Sequence, residues 1–286
     1  MLASGYNVAC RTVVRDRVLP MTNTVANMGK VYLVGAGPGD PGLLTIEASR
    51  LLRTADVVFH DGLVSPEILA LIPEQVYVEN VGKRCGHVRI GQQQIHSLMT
   101  NAAREGWTVV RLKSGDPLIF GRAGEEIEAL RNAGIECEIV PGITAAFGAA
   151  ARAGIPLTDR RLASKLVFLS NHQCSGKSLS DWEGTISQDT TVLIYMPGSE
   201  YEELAARLCE KGFDPETPCV LVSQATTAQQ QVHFAGLANL AEAPRFAAPV
   251  VLIVGAVAAN YLARQAGLAE SAEDRGFELK LELAGL

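Results

Sequence analysis

From Lys30 onward the chain alternates short β-branched runs with segments of helical periodicity, and this alternation restricts its fold more than any other feature. Strands and helices that follow one another in this way bury their apolar faces against each other in layers, the signature of an α/β fold. In the first half "KVYLVG", "DVVFHD", "QVYVENV", "WTVVRLK" and "IECEIV" read as strands. "LLTIEASRLLRTA" and "GQQQIHSLMTNAAREG" read as helices between them, the second with Ile95, Leu98, Met99, Ala102 and Ala103 at helical spacing. A second series follows: "SKLVFLSNH", "TTVLIYMPG", "TPCVLVSQA", "QVHFAG" and "APVVLIVGAV" as strands, and "SEYEELAARLCEKG" as an amphipathic helix closed by Gly212. Pro141 and Gly142 in "VPGITAAF" punctuate the chain between the two series. The expectation is therefore two α/β domains, residues 29–142 and 143–264, with residues 1–28 as a disordered extension and 265–286 as an unassigned tail.

A chain of 286 residues with 48% hydrophobic residues has enough apolar material for two modest cores. Its formal net charge of -6 argues against a general affinity for nucleic acid, which rests on Lys and Arg meeting phosphates. Cys10, Cys85, Cys137, Cys174, Cys209 and Cys219 are scattered, with no CxxC pair and no short Cys/His spacing. Neither a disulfide framework nor a metal site is expected, and reduced thiols suit a cytoplasmic protein. No apolar run is long enough to cross a bilayer, so no membrane partner is expected.

The loop in "VYLVGAGPGDPGLLT" follows a strand and is rich in glycine, as phosphate-binding turns are. The dinucleotide fingerprint needs glycine at Gly35, at Gly37 and at the position that Asp40 holds, so it fails here. Phosphate cradles present backbone N–H groups to the anion, whereas Pro38 and Pro41 have none and Asp40 adds a negative charge. Two readings remain: a tight strand-to-helix turn, or a rigid turn that lets a ligand without phosphate approach the backbone.

In "VVRLKSGDPLIFGRAGEEIEALRNAG" a strand runs into Ser114, Gly115, Asp116 and Pro117, and a helix begins near Gly124. Glu125 and Glu126 suit its positive first turn, and Arg122 suits an ion pair with them. Asp116 stands at the carboxyl end of a strand, the edge at which open α/β sheets bind ligands; it is either a ligand group or a turn-former bonded to nearby backbone. In "VPGITAAFGAAARAGIPLTDRR" Thr144 opens a helix lined with Ala145, Ala146, Gly148, Ala149 and Ala150, whose small side chains permit close approach by another segment or a flat ligand. Arg152, Arg160, Arg161 and Lys165 follow as a local excess of positive charge.

The stretches "VGAGPGDPGLLT", "ADVVFHDGLVS", "VGKRCGH", "VVRLKSGDPLIFGRAGEE", "VPGITAA" and "LIYMPG" together resemble the tetrapyrrole methylase family, within it the branch that methylates uroporphyrinogen III. The resemblance runs in family order from Lys30 to about Val257. It implies two α/β domains with a cofactor cleft between them, as in class III methyltransferases. S-adenosyl-L-methionine is the implied cofactor, S-adenosyl-L-homocysteine its product, and a homodimer the implied assembly. Carried over position by position, it assigns cofactor contacts to Pro38, Ser114, Gly115, Asp116, Ile119, Thr144, Ala145, Met196 and Ala225. It makes Asp61 the proton acceptor and Lys83 the proton donor, which asks for a raised pKa at Asp61 and a lowered one at Lys83. The implied substrate is a polycarboxylate, for which Arg111, Arg122, Arg152, Arg160 and Arg161 are hosts by residue type. This sequence departs from the family pattern at His60, Ser114, Pro197, Ala225 and Asp159, where Tyr, Gly, Gly, Gly and His are usual. The substitution at Asp159 sets a carboxylate beside a carboxylated substrate if that loop lines the pocket.

Overall fold

The computed structural model describes residues 28–82, 90–171 and 186–262. The first strand series forms one sheet: β1 (Val31–Gly35), β2 (Val57–His60), β3 (Tyr77–Asn80), β4 (Val109–Lys113) and β5 (Cys137–Val140), in the order β3-β2-β4-β1-β5. Every pairing in it is parallel, so all five carboxyl ends emerge along one edge. Helices α1 (Ile46–Thr54), α2 (Pro66–Leu69), α3 (Gln92–Arg104) and α4 (Ala123–Asn132) connect these strands. Thr45 and Ser65 cap α1 and α2 by accepting from the Ala48 and Ile68 amides, as short polar side chains do at helix starts. The strand side chains alternate between two apolar layers. Val34, Val58, Val110 and Leu112 pack on Leu51, Leu52 and Ile68, while Leu33, Val57, Phe59 and Val109 pack on Ile95, Met99 and Leu130. Each fully buried leucine in these layers contributes about 1.5–3 kcal/mol relative to exposure.

α5 (Ala145–Ala153) leads to the second sheet, formed by β6 (Lys165–Ser170), β7 (Thr190–Tyr195), β8 (Pro218–Ser223), β9 (Gln231–Gly236) and β10 (Val250–Val254). Its order is β6-β7-β10-β8-β9; β6 and β7 run parallel and the other pairings are antiparallel. α6 (Tyr201–Glu210) covers one face through Tyr201, Leu204 and Leu208. The small residues Ala146, Ala149, Ala150 and Ala153 of α5 cover the other, against Leu193, Val220 and Ile253. The break expected at Pro141 and Gly142 falls between the last strand of the first sheet and the helix that packs on the second. No helix among the described residues is long and apolar enough to cross a membrane.

Candidate active site

The carboxyl ends of β4, β1 and β5 lie side by side, and the chain leaves them through three glycines in mutual contact. A Cβ on Gly35 would stand 2.5 Å from the Gly142 Cα, and one on Gly142 would stand 2.3 Å from the Gly115 carbonyl oxygen. Only glycine lets these backbones touch. Gly37 donates to the Gly115 carbonyl at 3.1 Å and Gly115 returns the bond at 2.8 Å, tying the loop after β1 to the loop after β4. Asp116 secures the junction: one carboxylate oxygen accepts from the Leu118 amide at 2.8 Å and the other from the Gly142 amide at 3.0 Å. The turn-former reading of Asp116 thus describes its geometry, and the turn it forms sits on the sheet edge.

The second half closes over this edge. Pro38 lies against α5 where a Cβ on Gly148 would come 2.6 Å from the proline ring, so the segment that approaches the small-residue helix is the opening loop itself. The Asp40 amide donates to the Thr226 hydroxyl at 3.1 Å, and the Asp40 carboxylate pairs with Arg152. Thr144 is the N-cap of α5, yet its hydroxyl lies 2.5 Å from the Tyr195 hydroxyl, which also accepts from the Ala146 amide at 3.1 Å. Burial raises the Tyr195 pKa, so its phenol is a neutral group at physiological pH. Phe120 packs on the Tyr195 ring at 5.1 Å, linking the loop after β4 to the end of β7.

Through these contacts the loops bearing all nine expected cofactor residues converge. Pro38 follows β1; Ser114, Gly115, Asp116 and Ile119 follow β4; Thr144 and Ala145 open α5; Met196 follows β7 and Ala225 follows β8. The same loops concentrate backbone strain. Among the described residues, the non-glycine positions with left-handed φ are Phe120, Arg122, Met196, Gln224 and Thr226, between 45° and 70°. Such conformations cost on the order of 1 kcal/mol or more and persist where surrounding contacts impose them, commonly at ligand sites.

Asp61, just past β2, has a side chain 29% exposed and is paired with Arg111 of β4. Arg111 also donates to Glu126 of α4 at 3.0 Å, and Lys113 reaches the other Glu126 oxygen at 2.9 Å. The side chains of Arg111 and Lys113 are 3% exposed and that of Glu126 is fully buried. Alternation along β4 sends Arg111 and Lys113 into the same layer as Val109, the one facing α3 and α4. Burial, and next the charge of Arg111, lowers the Lys113 pKa. Burial opposes the Arg111 charge too, but Asp61 and Glu126 outweigh it and its pKa is raised.

Arg111 therefore differs from its expected role as a host for substrate carboxylates. Its guanidinium is committed to Asp61, Glu126 and the carbonyls of Phe59 and Leu112, inside the protein. Of the other expected hosts, Arg122 pairs with Glu125, Arg152 with Asp40 and Arg161 with Asp159, and all four remaining arginines are exposed. The Arg161 guanidinium holds the Asp159 pKa down to about 2, so the unusual carboxylate of that loop is neutralised locally. Lys83 lies outside the described residues, as do residues 1–27 and the tail. Its chain neighbour Gly82 packs so closely on Gly62 that a Cβ there would come 2.0 Å from the Gly62 amide nitrogen, which brings the end of β3 against the Asp61 turn.

Sequence reasoning did not pick out Glu126, Lys113 or Tyr195 as site residues. A signal was present in "VVRLK", where two cations alternate with apolar residues in a strand that should face the core on both sides.

The cleft suits a ligand with no phosphate. Pro38 has no N–H to give, and Gly115, at φ +71°, spends its own N–H and carbonyl on Gly37. Two carboxylates, Asp40 and Asp116, stand on the loops, and half-exposed Phe120 and Met196 offer apolar surface. Negative charge and apolar surface of this kind suit the amino, sulfonium and adenosine groups of S-adenosylmethionine, and among the described residues no His/Cys/Asp/Glu cluster suits a metal.

Comparison with known proteins agrees with this arrangement. Residues 30–241 match the family model of the tetrapyrrole (corrin/porphyrin) methylases. The chain is 48% identical to the uroporphyrinogen-III C-methyltransferase of Paracoccus denitrificans over 82% of its own length and 83% of that protein's. It is 44% identical to the siroheme synthase of Nitrosococcus oceani over 83% of its own length, but spans only 51% of that longer protein. Among solved structures it resembles the uroporphyrin-III C-methyltransferase of Thermus thermophilus complexed with S-adenosylhomocysteine, with a TM-score of 0.70 and 38% identity over 80% of this chain and 98% of that one.

Proposed function

The chain belongs to the tetrapyrrole (corrin/porphyrin) methylases, and from that premise we propose that it transfers methyl groups from S-adenosylmethionine to carbon atoms of uroporphyrinogen III, giving precorrin-2 after two transfers. The observation that carries the proposal is the pairing of a partly exposed carboxylate, Asp61, with a cleft whose loops suit a cofactor without phosphate.

S-adenosylmethionine supplies an electrophilic methyl group on a sulfonium, so the chain's own work is to bind, orient and move protons. The loops after β1, β4, β7 and β8 and the start of α5 hold the cofactor face, with Ser114, Gly115, Asp116, Ile119, Thr144, Ala145, Met196, Ala225 and Pro38 as its contacts. Their mutual bonds fix the cleft before ligands arrive, and much of the rate of a group transfer comes from such prior orientation. After the pyrrole carbon has taken the methyl group, the cationic macrocycle loses a proton as its double bonds rearrange, and Asp61 is the group that accepts it. Arg111 holds the Asp61 carboxylate in place from below. Lys83 is assigned the complementary proton donation by sequence resemblance. Arg122, Arg152, Arg160 and Arg161 are the exposed cations from which the substrate's carboxylates draw their partners. Replacing each with Ala should raise KM for the tetrapyrrole and leave cofactor affinity unchanged; unaltered kinetics would remove that arginine. We also propose a cytoplasmic location and a homodimer.

The decisive experiment is anaerobic incubation with S-adenosylmethionine and enzymatically prepared uroporphyrinogen III, followed by mass analysis of the oxidised product. A gain of two methyl groups supports the assignment. Binding of S-adenosylmethionine without transfer would redirect the search to later precorrins and then to macromolecular substrates.

A further inference from the structure

We infer that Glu126 is a positioning residue of the active site: by bridging Lys113 and Arg111 it fixes the guanidinium that orients Asp61, without touching substrate itself. The inference rests on the methyltransferase reading above and extends it to residues that reading leaves out.

Four charges form an alternating line from the interior to the cleft. Lys113 Nζ donates to Glu126 Oε2 at 2.9 Å, Arg111 Nε donates to Glu126 Oε1 at 3.0 Å, and Arg111 Nη2 donates to Asp61 Oδ1. Gln92 Nε2 of α3 adds a donor to Glu126 Oε1 at 3.2 Å. Exposure rises along the line, from 3% and 0% at Lys113 and Glu126 to 29% at Asp61. Formal charges along it cancel, two cations against two carboxylates. Burying such groups is expensive, and buried ion pairs can often be replaced by apolar residues without loss of stability. The line ends on Asp61, the one charge of the four that is appreciably exposed, which gives the expense a use.

Glu126 occupies the controlling position because each of its oxygens has a separate task. Oε1 sets the rotation of the Arg111 guanidinium, whose Nη1 is held by the Phe59 and Leu112 carbonyls at 3.4 Å and 3.3 Å, leaving Nη2 aimed at Asp61. Oε2 neutralises Lys113, which would otherwise set a second unbalanced cation behind Arg111. A base displaced by a fraction of an ångström loses alignment with the proton it must take.

The test uses the full chain and the anaerobic methyl-transfer assay. Glu126→Gln should lower kcat by at least about tenfold while KM for S-adenosylmethionine and calorimetric affinity for S-adenosylhomocysteine stay within about twofold. Adding Lys113→Met restores the charge balance and should recover at least about threefold in kcat over Glu126→Gln alone. A role confined to stability predicts instead that the second substitution lowers activity further, and that result, like unchanged kcat in Glu126→Gln, overturns the inference. Should Glu126→Gln fail to fold, Glu126→Asp keeps the charge but withdraws it by one methylene, and the same kcat-against-KM split applies.

A readout without turnover separates this inference from the reaction assigned above. Glu126 and Asp61 share Arg111 as a hydrogen-bond partner, so Glu126→Gln and Asp61→Asn should be coupled in urea unfolding. The unfolding constant of the double variant should depart at least about threefold from the product expected of the singles. Additive effects would overturn the inference even in an active enzyme. Coupling in a chain that methylates no tetrapyrrole would keep the line of charges and discard the substrate.

Discussion

The two sheets bury polar groups of different kinds. The first encloses Arg111, Lys113 and Glu126 at the carboxyl end of β4, whereas the buried polar groups of the second sheet's strands are the hydroxyls of Thr190, Thr191 and Ser223. The contrast follows from topology. In the parallel sheet every strand delivers its carboxyl end to one edge, so side chains from β2, β4 and α4 meet there as a charged group. In the mixed sheet β10 and β9 run against their neighbours, only some of the strands deliver their carboxyl ends to one edge, and the contribution to the cleft comes from the loops after β7 and β8 with the aromatic ring of Tyr195. On the function proposed above, the first half supplies the buried charges and the proton-accepting carboxylate, and the second supplies shape and closure.

The sharpest way to break this division is Asp61→Asn, which should reduce kcat by roughly 100- to 10,000-fold with little change in S-adenosylhomocysteine affinity. If a cleft residue of the second half matched that loss, the division would fall. Next in size is Gly35→Ala, which drives a methyl into Gly142 and the Gly115 carbonyl. Denaturant titration should record a loss of about 2–3 kcal/mol together with weakened cofactor binding, because the two loops it separates belong to the cleft. Tyr195→Phe removes the hydroxyl that joins Thr144 and the Ala146 amide. It should cost about 1 kcal/mol in stability and a few-fold in cofactor affinity, with kcat largely kept.

Smaller still is Thr191→Val in β7. The Thr191 hydroxyl is buried without a hydrogen-bond partner among the described residues, so a methyl in its place should gain up to about 1 kcal/mol and leave activity unchanged. A loss of activity would give the interior of the second sheet a chemical role. The smallest effect concerns the thiols. Burial raises the Cys137 pKa to about 11 and the Cys219 pKa to about 12. Alkylation depends on the thiolate, so at pH 8 these two cysteines should resist iodoacetamide in the native protein and react once it is unfolded, as peptide mapping can establish.

The ten strands and the helices α1 and α3 were legible because apolar periodicity is a local property that survives in one dimension. The glycine and proline spacing of the opening loop was equally legible, and it argues against a phosphate because Pro38 and Pro41 have no N–H to offer. The nine positions that the resemblance assigns to the cofactor are scattered between Pro38 and Ala225 in the chain, and the fold brings the loops that carry them together. The role of Arg111 was not legible. Its neighbours in sequence suggest a cation available to carboxylates, but the strand order β2-β4 sets it beside Asp61, and α4 lays Glu126 across it. Glu126 itself read as one of a pair of acids favoured at a helix start, while the fold exposes Glu125 to Arg122 and buries its neighbour completely. The small residues of α5 announced a close approach without saying by what, and the answer, Pro38, lies on the far side of the first sheet in sequence. By itself the sequence determined the elements and the loops that join them, since each depends on residues a few positions apart. The tertiary structure decided which charges meet, because a side chain's electrostatic partners are set by strand order and helix packing, and these join residues that the chain keeps far apart.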